Sequence, residues 1–113
     1  MEADERQFLL TTAWMFARHG QTARARTLCA ALNEDDPRDG IAAAALAELL
    51  LAEGDAARAL TALRSSDFPP ELVRAEAVLE TRALSALGRT EEARRRWQRY
   101  IASARGAERS WVG

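Results

Sequence analysis

The chain predicts an all-α fold of paired helices, and three observations carry that prediction. Alanine, leucine, arginine and glutamate dominate the 113 residues, and all are good helix formers. The β-branched valine and isoleucine that sheets favour are scarce. Three glycines, Gly20, Gly54 and Gly88, stand 34 residues apart, twice over, with matching residues at fixed distances around each, so the chain reads as three copies of one unit.

Helices are expected near 5–19, 22–33, 38–53, 56–65, 70–87 and 91–106. Asp4 with Gln7 supplies a capping box for the first, and Gly20 ends it in the left-handed conformation that costs glycine little. The acidic run from Asn33 to Asp39, which includes Pro37, reads as the loop after the second helix. Asp55 and Thr90 are natural N-caps for the fourth and sixth helices, each worth about 1 kcal/mol. Pro69 and Pro70 suit the first turn of the fifth. The length allows one domain, residues 1–113, with units near 6–39, 40–73 and 74–107 and a short tail from 108 to 113.

Within each unit the side chains recur in register. Five residues after each glycine stands Ala25, Ala59 or Ala93, and seven before it the small Ala13, Ala47 or Thr81. These let facing backbones approach closely. Four before each glycine comes Phe16, Leu50 or Leu84, and nine after it Cys29, Leu63 or Trp97, large enough to fill the space between hairpins. The pattern resembles the tetratricopeptide repeat, whose architecture implies three tandem helix hairpins in a short right-handed superhelical array. The usual tryptophan at the first large position is absent, that place being taken by Leu9, Ala43 and Ala77, and a closing proline is clear only at Pro37, so the units are degenerate.

In stacked hairpins the first helix of each pair lines the concave side. Projection onto that geometry places Leu10, Trp14, Ile41, Ala44, Ala45, Glu48, Leu51, Val78, Leu79 and Arg82 toward a groove. Most are apolar and several small, which suits an amphipathic helix or an apolar extended segment of a protein partner. A clamp for a terminal carboxylate is disfavoured, because Arg82 is the only inward cation in this set.

Other chemistry has little support. The formal net charge is −1 and every Lys or Arg position is arginine, so no global field draws the chain to nucleic acid or anionic lipid. No phosphate loop, nucleophile–base arrangement or metal-ligand cluster is visible, so neither an enzyme nor a cofactor is expected. The longest apolar stretch, Ile41 to Ala47, falls far short of a membrane span. Glu2, Asp4 and Glu5 occupy the region where a signal peptide would be basic, and a cytoplasmic protein is expected. Cys29 reads as a buried packing residue and His19 as a favourable group at a helix C-terminus. Trp14 suits a partner anchor, and equally suits packing against the second hairpin. Arg94, Arg95, Arg96, Arg99 and Arg105 make the last helix basic; an outer solvated face or an acidic protein surface accounts for them better than nucleic acid does. Trp111 either docks on the core or extends into solvent.

Two stretches are more specific. The first comprises Phe8-Leu9-Leu10, Trp14, Gly20, Arg24-Ala25, Leu28, Ala31 and Leu32; the second Leu87-Gly88, Ala93-Arg94, Trp97-Gln98 and Tyr100-Ile101. With the length, they resemble the small Y-type chaperones of bacterial type III secretion systems (the YscY or SctY family). The resemblance implies a cytoplasmic chaperone forming a heterodimer with a small secreted X-type protein and contacting the cytoplasmic domain of the export-gate protein. The groove residues are then the candidates for the X-type interface, and Arg94, Arg95 and Arg99 for a second protein surface. A needle-subunit chaperone of the same architecture and a general tetratricopeptide scaffold remain open alternatives. Without a partner, marginal stability or homodimerisation is expected.

Overall fold

A computed structural model of the chain describes residues 1–112, and the side chains of residues 1–108. These residues are helical almost throughout: α1 (Ala3–Arg18), α2 (Thr22–Asp35), α3 (Gly40–Ala52), α4 (Ala56–Arg64), α5 (Val73–Ala86) and α6 (Thr90–Val112), with a short 3-10 turn at Pro70–Leu72. No strand forms among the described residues; one isolated bridge joins Asp39 to Asp67.

The left-handed glycine turns are those expected. Gly20, Gly54 and Gly88 have φ of 76°, 83° and 76°. Each closes its helix by the same pair of bonds: the Gly54 amide donates to the Leu51 carbonyl at 3.1 Å and the Asp55 amide to Leu50 at 2.8 Å. Equivalent bonds run from Gly20 to Ala17 and Gln21 to Phe16, and from Gly88 to Ser85 and Arg89 to Leu84. These bonds cap carbonyls of the last turn, at a position where glycine avoids the Cβ penalty.

Several boundaries differ from expectation. α1 begins at Ala3 behind Glu2, with no side-chain cap, so Asp4 lies inside the first turn and no Asp4–Gln7 capping box forms. α3 begins at Gly40, because the Asp39 carboxylate accepts from the Ile41 and Ala42 amides at 3.0 and 3.3 Å. Asp55 caps α4 through the Arg58 amide at 3.2 Å. Thr90 is the first residue within α6, and Arg89 holds the place that Asp55 holds 34 residues earlier. The two prolines start the 3-10 turn, and the fifth helix proper waits until Val73. α6 continues through Gly106 to Val112, where a tail was expected; the side chain of Trp111 lies outside the described residues.

Neighbouring helices pack in chain order, α1 on α2, α2 on α3, and so on to α6, with α5 also touching α3. Ala13, Ala25, Ala47, Ala59 and Ala93 are buried at the crossings, and Cys29, Leu50, Leu63 and Leu84 fill the layers between them. Phe16, Thr81 and Trp97 are only half-buried. One core cluster, around Leu46, Leu50, Leu63 and Leu79, spans α1 to α5; a second joins Leu60, Leu84 and Ala93, and Leu51 packs against both.

Polar contacts lock the connections. Arg6 donates to Asp35 and Asp39, both at 2.7 Å, and to the Leu32 carbonyl at 3.2 Å, tying α1 to the end of α2 and the cap of α3. The Asp67 amide donates to the Arg38 carbonyl at 2.9 Å and the Ser66 hydroxyl to that of Pro37 at 2.9 Å, joining the α2–α3 and α4–α5 connections. Gly40 sits where an added Cβ would stand 2.5 Å from the Asp67 carbonyl oxygen, so this seam admits no side chain there.

Candidate partner-binding cleft

α1 and α3 run side by side with an open cleft between them. Its walls are Leu10, Trp14 and Ala17 from α1, and Ile41, Ala45, Glu48 and Leu49 from α3. Ala13 and Cys29 form the floor. Its volume is about 320 Å³, and the lining is almost wholly apolar. A smaller hollow of about 190 Å³ shares Leu10 and Ile41 and extends the cleft to the Arg6–Asp39 pair.

The helical spacing explains the walls. Leu10, Trp14 and Ala17 stand at i, i+4 and i+7 on one face of α1, as do Ile41, Ala45 and Glu48 on α3. Trp14 is 58 % exposed and Ile41 50 %, so two large apolar side chains stand open to solvent above a cavity. Arg18 lies over the Trp14 ring at 4.8 Å, a cation–π contact that holds the indole at the rim. At the floor, burial pushes the Cys29 thiol up from its ordinary range, which keeps it protonated and unreactive near neutral pH.

Of the ten groove residues expected from sequence, Leu10, Trp14, Ile41, Ala45 and Glu48 line this cavity together. Arg82 joins the rim by pairing with Glu48 at 3.2 Å. Ala44 and Leu51 are half-buried and pack against the core. Val78 is half-buried on α5 and outside the cavity lining. Leu79 is a correction: it is buried in the first core cluster and offers no open surface. Ala17 and Leu49 belong to the lining and were missed, although Ala17 follows Trp14 by three residues and Leu49 follows Ala45 by four, the signature of a shared face.

The basic last helix is less free than its composition implies. Arg94 and Arg95 both reach Glu91, at 2.6 and 3.4 Å, and Arg96 is buried against Glu80 at 3.2 Å. Arg99 borders a polar hollow of about 180 Å³ with Arg64, Arg95, Glu80 and Glu92. His19 is the exposed C-cap of α1. Among the described residues no group of three or more His, Cys, Asp or Glu stands close enough to hold a metal ion, and no helix is long and apolar enough to cross a membrane.

Comparison with known proteins finds no family model that matches the chain and no curated protein significantly similar to it.

Proposed function

We propose that the chain is a binding module of the tetratricopeptide kind, three hairpins in a short right-handed superhelix, whose concave face is the α1–α3 cleft. It acts as a cytoplasmic Y-type chaperone of a type III secretion system. The cleft holds an amphipathic helix of a small X-type protein, and the complex is delivered to the cytoplasmic domain of the export gate at the apparatus, with Arg94, Arg95 and Arg99 as the candidate gate-facing surface. No catalysis is involved. The observation that carries this reading is the pair of exposed large side chains, Trp14 and Ile41, over an apolar cavity of about 320 Å³. Such a surface suits apolar anchors spaced along one helix face, and an unfilled apolar cleft is otherwise an aggregation liability.

The test is co-expression with the short reading frame encoded beside this one, followed by size-exclusion chromatography with light scattering. A one-to-one complex is expected, and Trp14→Asp or Ile41→Asp abolishes it while helicity by circular dichroism persists. Replacing Trp14 by alanine weakens it by about 2 kcal/mol, roughly thirtyfold. A complex indifferent to both cleft substitutions refutes the assignment of the cleft. Failure to bind the X-type protein alongside capture of a needle subunit moves the chain to the needle-subunit chaperones.

A further inference from the structure

α1 carries a second apolar surface that the cleft does not use. Phe8 is 69 % exposed and Met15 49 %, and at about 100° per residue both lie roughly 130° on average around the helix from Leu10 and Trp14. Two shallow hollows flank this surface. One, of about 350 Å³, lies at the start of α1 between Phe8, Leu9 and the acidic Asp4 and Glu5. The other, of about 330 Å³, lies toward its end between Phe16, Thr27, Leu28 and Arg24, whose guanidinium stands 5.8 Å from the Phe16 ring. The hollows therefore sit toward opposite ends of one helix and carry opposite charge at their rims. Among the described residues Asp4, Glu5 and Arg24 make no ion pair within the chain.

The hydroxyls on and beside this face are already satisfied. Thr11 donates to the Gln7 carbonyl at 2.9 Å, Thr12 to Phe8 at 2.8 Å and Thr27 to Ala23 at 3.0 Å. Covering the face strands none of these donors, so their desolvation opposes contact little.

We propose that this face docks on the same face of a second copy of the chain, forming a two-fold dimer with the α1 helices antiparallel. A two-fold contact uses one patch twice, so the patch must complement itself. With the axis at Thr12, Phe8 of each chain meets Met15 of the other, and Leu9 meets the hollow beside Phe16. The acidic Glu5 then approaches Arg24 of the second copy, and the symmetry makes each of these contacts twice. Thr12 meets its own counterpart at the axis, where a small side chain lets the helices come close. The area is modest: α1 is about 24 Å long, and a strip covering α1 and α2, each about 10 Å wide with axes about 10 Å apart, gives roughly 500 Å² per chain. That is below the roughly 800 Å² per partner of a standard stable interface, so the dimer is weak and concentration-dependent. The cleft stays open on the other side of α1, so the dimer forms whether or not a partner fills it.

Sedimentation velocity of the full chain from about 1 μM to about 1 mM tests the proposal. The wild type shifts from monomer toward dimer across that range. Phe8→Asp stays monomeric with unchanged helicity. Glu5→Arg and Arg24→Glu each weaken association about tenfold, and the double variant restores it, because every swapped charge again faces its opposite. The cleft variant Trp14→Asp dimerises like the wild type. A wild type that remains monomeric throughout, a dimer that survives Phe8→Asp, a double variant no better than the singles, or a dimer lost in Trp14→Asp would each overturn the assignment. The last outcome would place self-association in the cleft, and binding of the X-type protein, measured separately, decides the functional reading on its own.

Discussion

Arg6→Ala tests whether α1 is held to the rest of the chain by charge as well as by apolar packing. The Arg6 side chain is 15 % exposed and joins three partners on two other elements: Asp35 and Asp39 at 2.7 Å and the Leu32 carbonyl at 3.2 Å. A hydrogen bond to a charged group contributes about 1.5–3 kcal/mol, and the part-exposed carboxylates bring each bond toward the lower end. Asp39 keeps its two amide donors when Arg6 is lost, so it is not left bare. The net loss is about 2 kcal/mol, a fall in Tm of about 8 °C for a chain of this length.

The same contact predicts a pH dependence. Burial pushes the Asp39 carboxyl up, but the hydrogen bond from Arg6 and those from the Ala42 and Ile41 amides together outweigh it and hold the group below its ordinary value. A carboxyl depressed in the folded state adds stability above its unfolded pKa and loses it as pH falls through the folded value. The advantage of the wild type over Arg6→Ala is therefore full at pH 7 and shrinks below about pH 4. Glu76, raised mainly by burial, contributes with the opposite sign, since its ionisation opposes folding; it is present in both proteins and cancels in the difference. Urea melts of the two proteins at pH 7 and pH 3 measure this. A difference below about 0.5 kcal/mol at pH 7, or one as large at pH 3 as at pH 7, refutes the reasoning.

Two further perturbations separate backbone, packing and charge. Alanine at Gly54 meets no atom within 4 Å but must adopt φ of 83°, costing about 1 kcal/mol; alanine at Gly40 drives Cβ against the Asp67 carbonyl and costs about 1–3 kcal/mol. Hydrogen exchange at the Asp67 amide, which bonds Arg38 across the seam, should quicken in the Gly40 variant alone, and equal effects in both would refute the steric account. Glu80→Ala leaves the buried Arg96 without its carboxylate and should cost about 3 kcal/mol. Adding Arg96→Met should recover part of that loss in thermal melts; no recovery would mean that the cost lies in the packing of α5.

The glycine turns were legible because a left-handed residue writes itself into sequence as glycine, and three in register exclude coincidence. The alanines at the crossings were legible for a related reason: close backbone approach tolerates little else. The first cap was not. α1 begins at Ala3, two residues before its expected start, and nothing in the residues distinguishes Asp4 as a cap from Asp4 inside the first turn, where it favours the helix dipole equally well. Arg6 was invisible because its acidic partners lie 29 and 33 residues away. Half of the cleft followed from helical projection alone. Leu79 escaped it because its equivalent 34 residues earlier, Ala45, is small enough to leave a cavity, whereas a leucine at the same register fills the space and joins the core.

That difference also explains why an open cleft persists beside a filled core, and what it selects. Along α3, Ala45 is too short to close the gap to α1, and Trp14, held at the rim by Arg18, does not fold in to fill it. The register position of Trp14 recurs as Glu48 and then as Arg82, which pair with each other at 3.2 Å while both remain exposed. The surface therefore changes from apolar at α1 to ionic at α5 along one line of equivalent positions. An occupant apolar over its whole length would strip water from the Glu48–Arg82 pair without offering partners, and covered charge is costly unless hydrogen-bonded. A segment apolar beside Trp14 and Ile41, and polar where it passes α5, avoids that cost. The cleft thus discriminates by the order of residues along its occupant as well as by hydrophobicity, which a general apolar sink would not do.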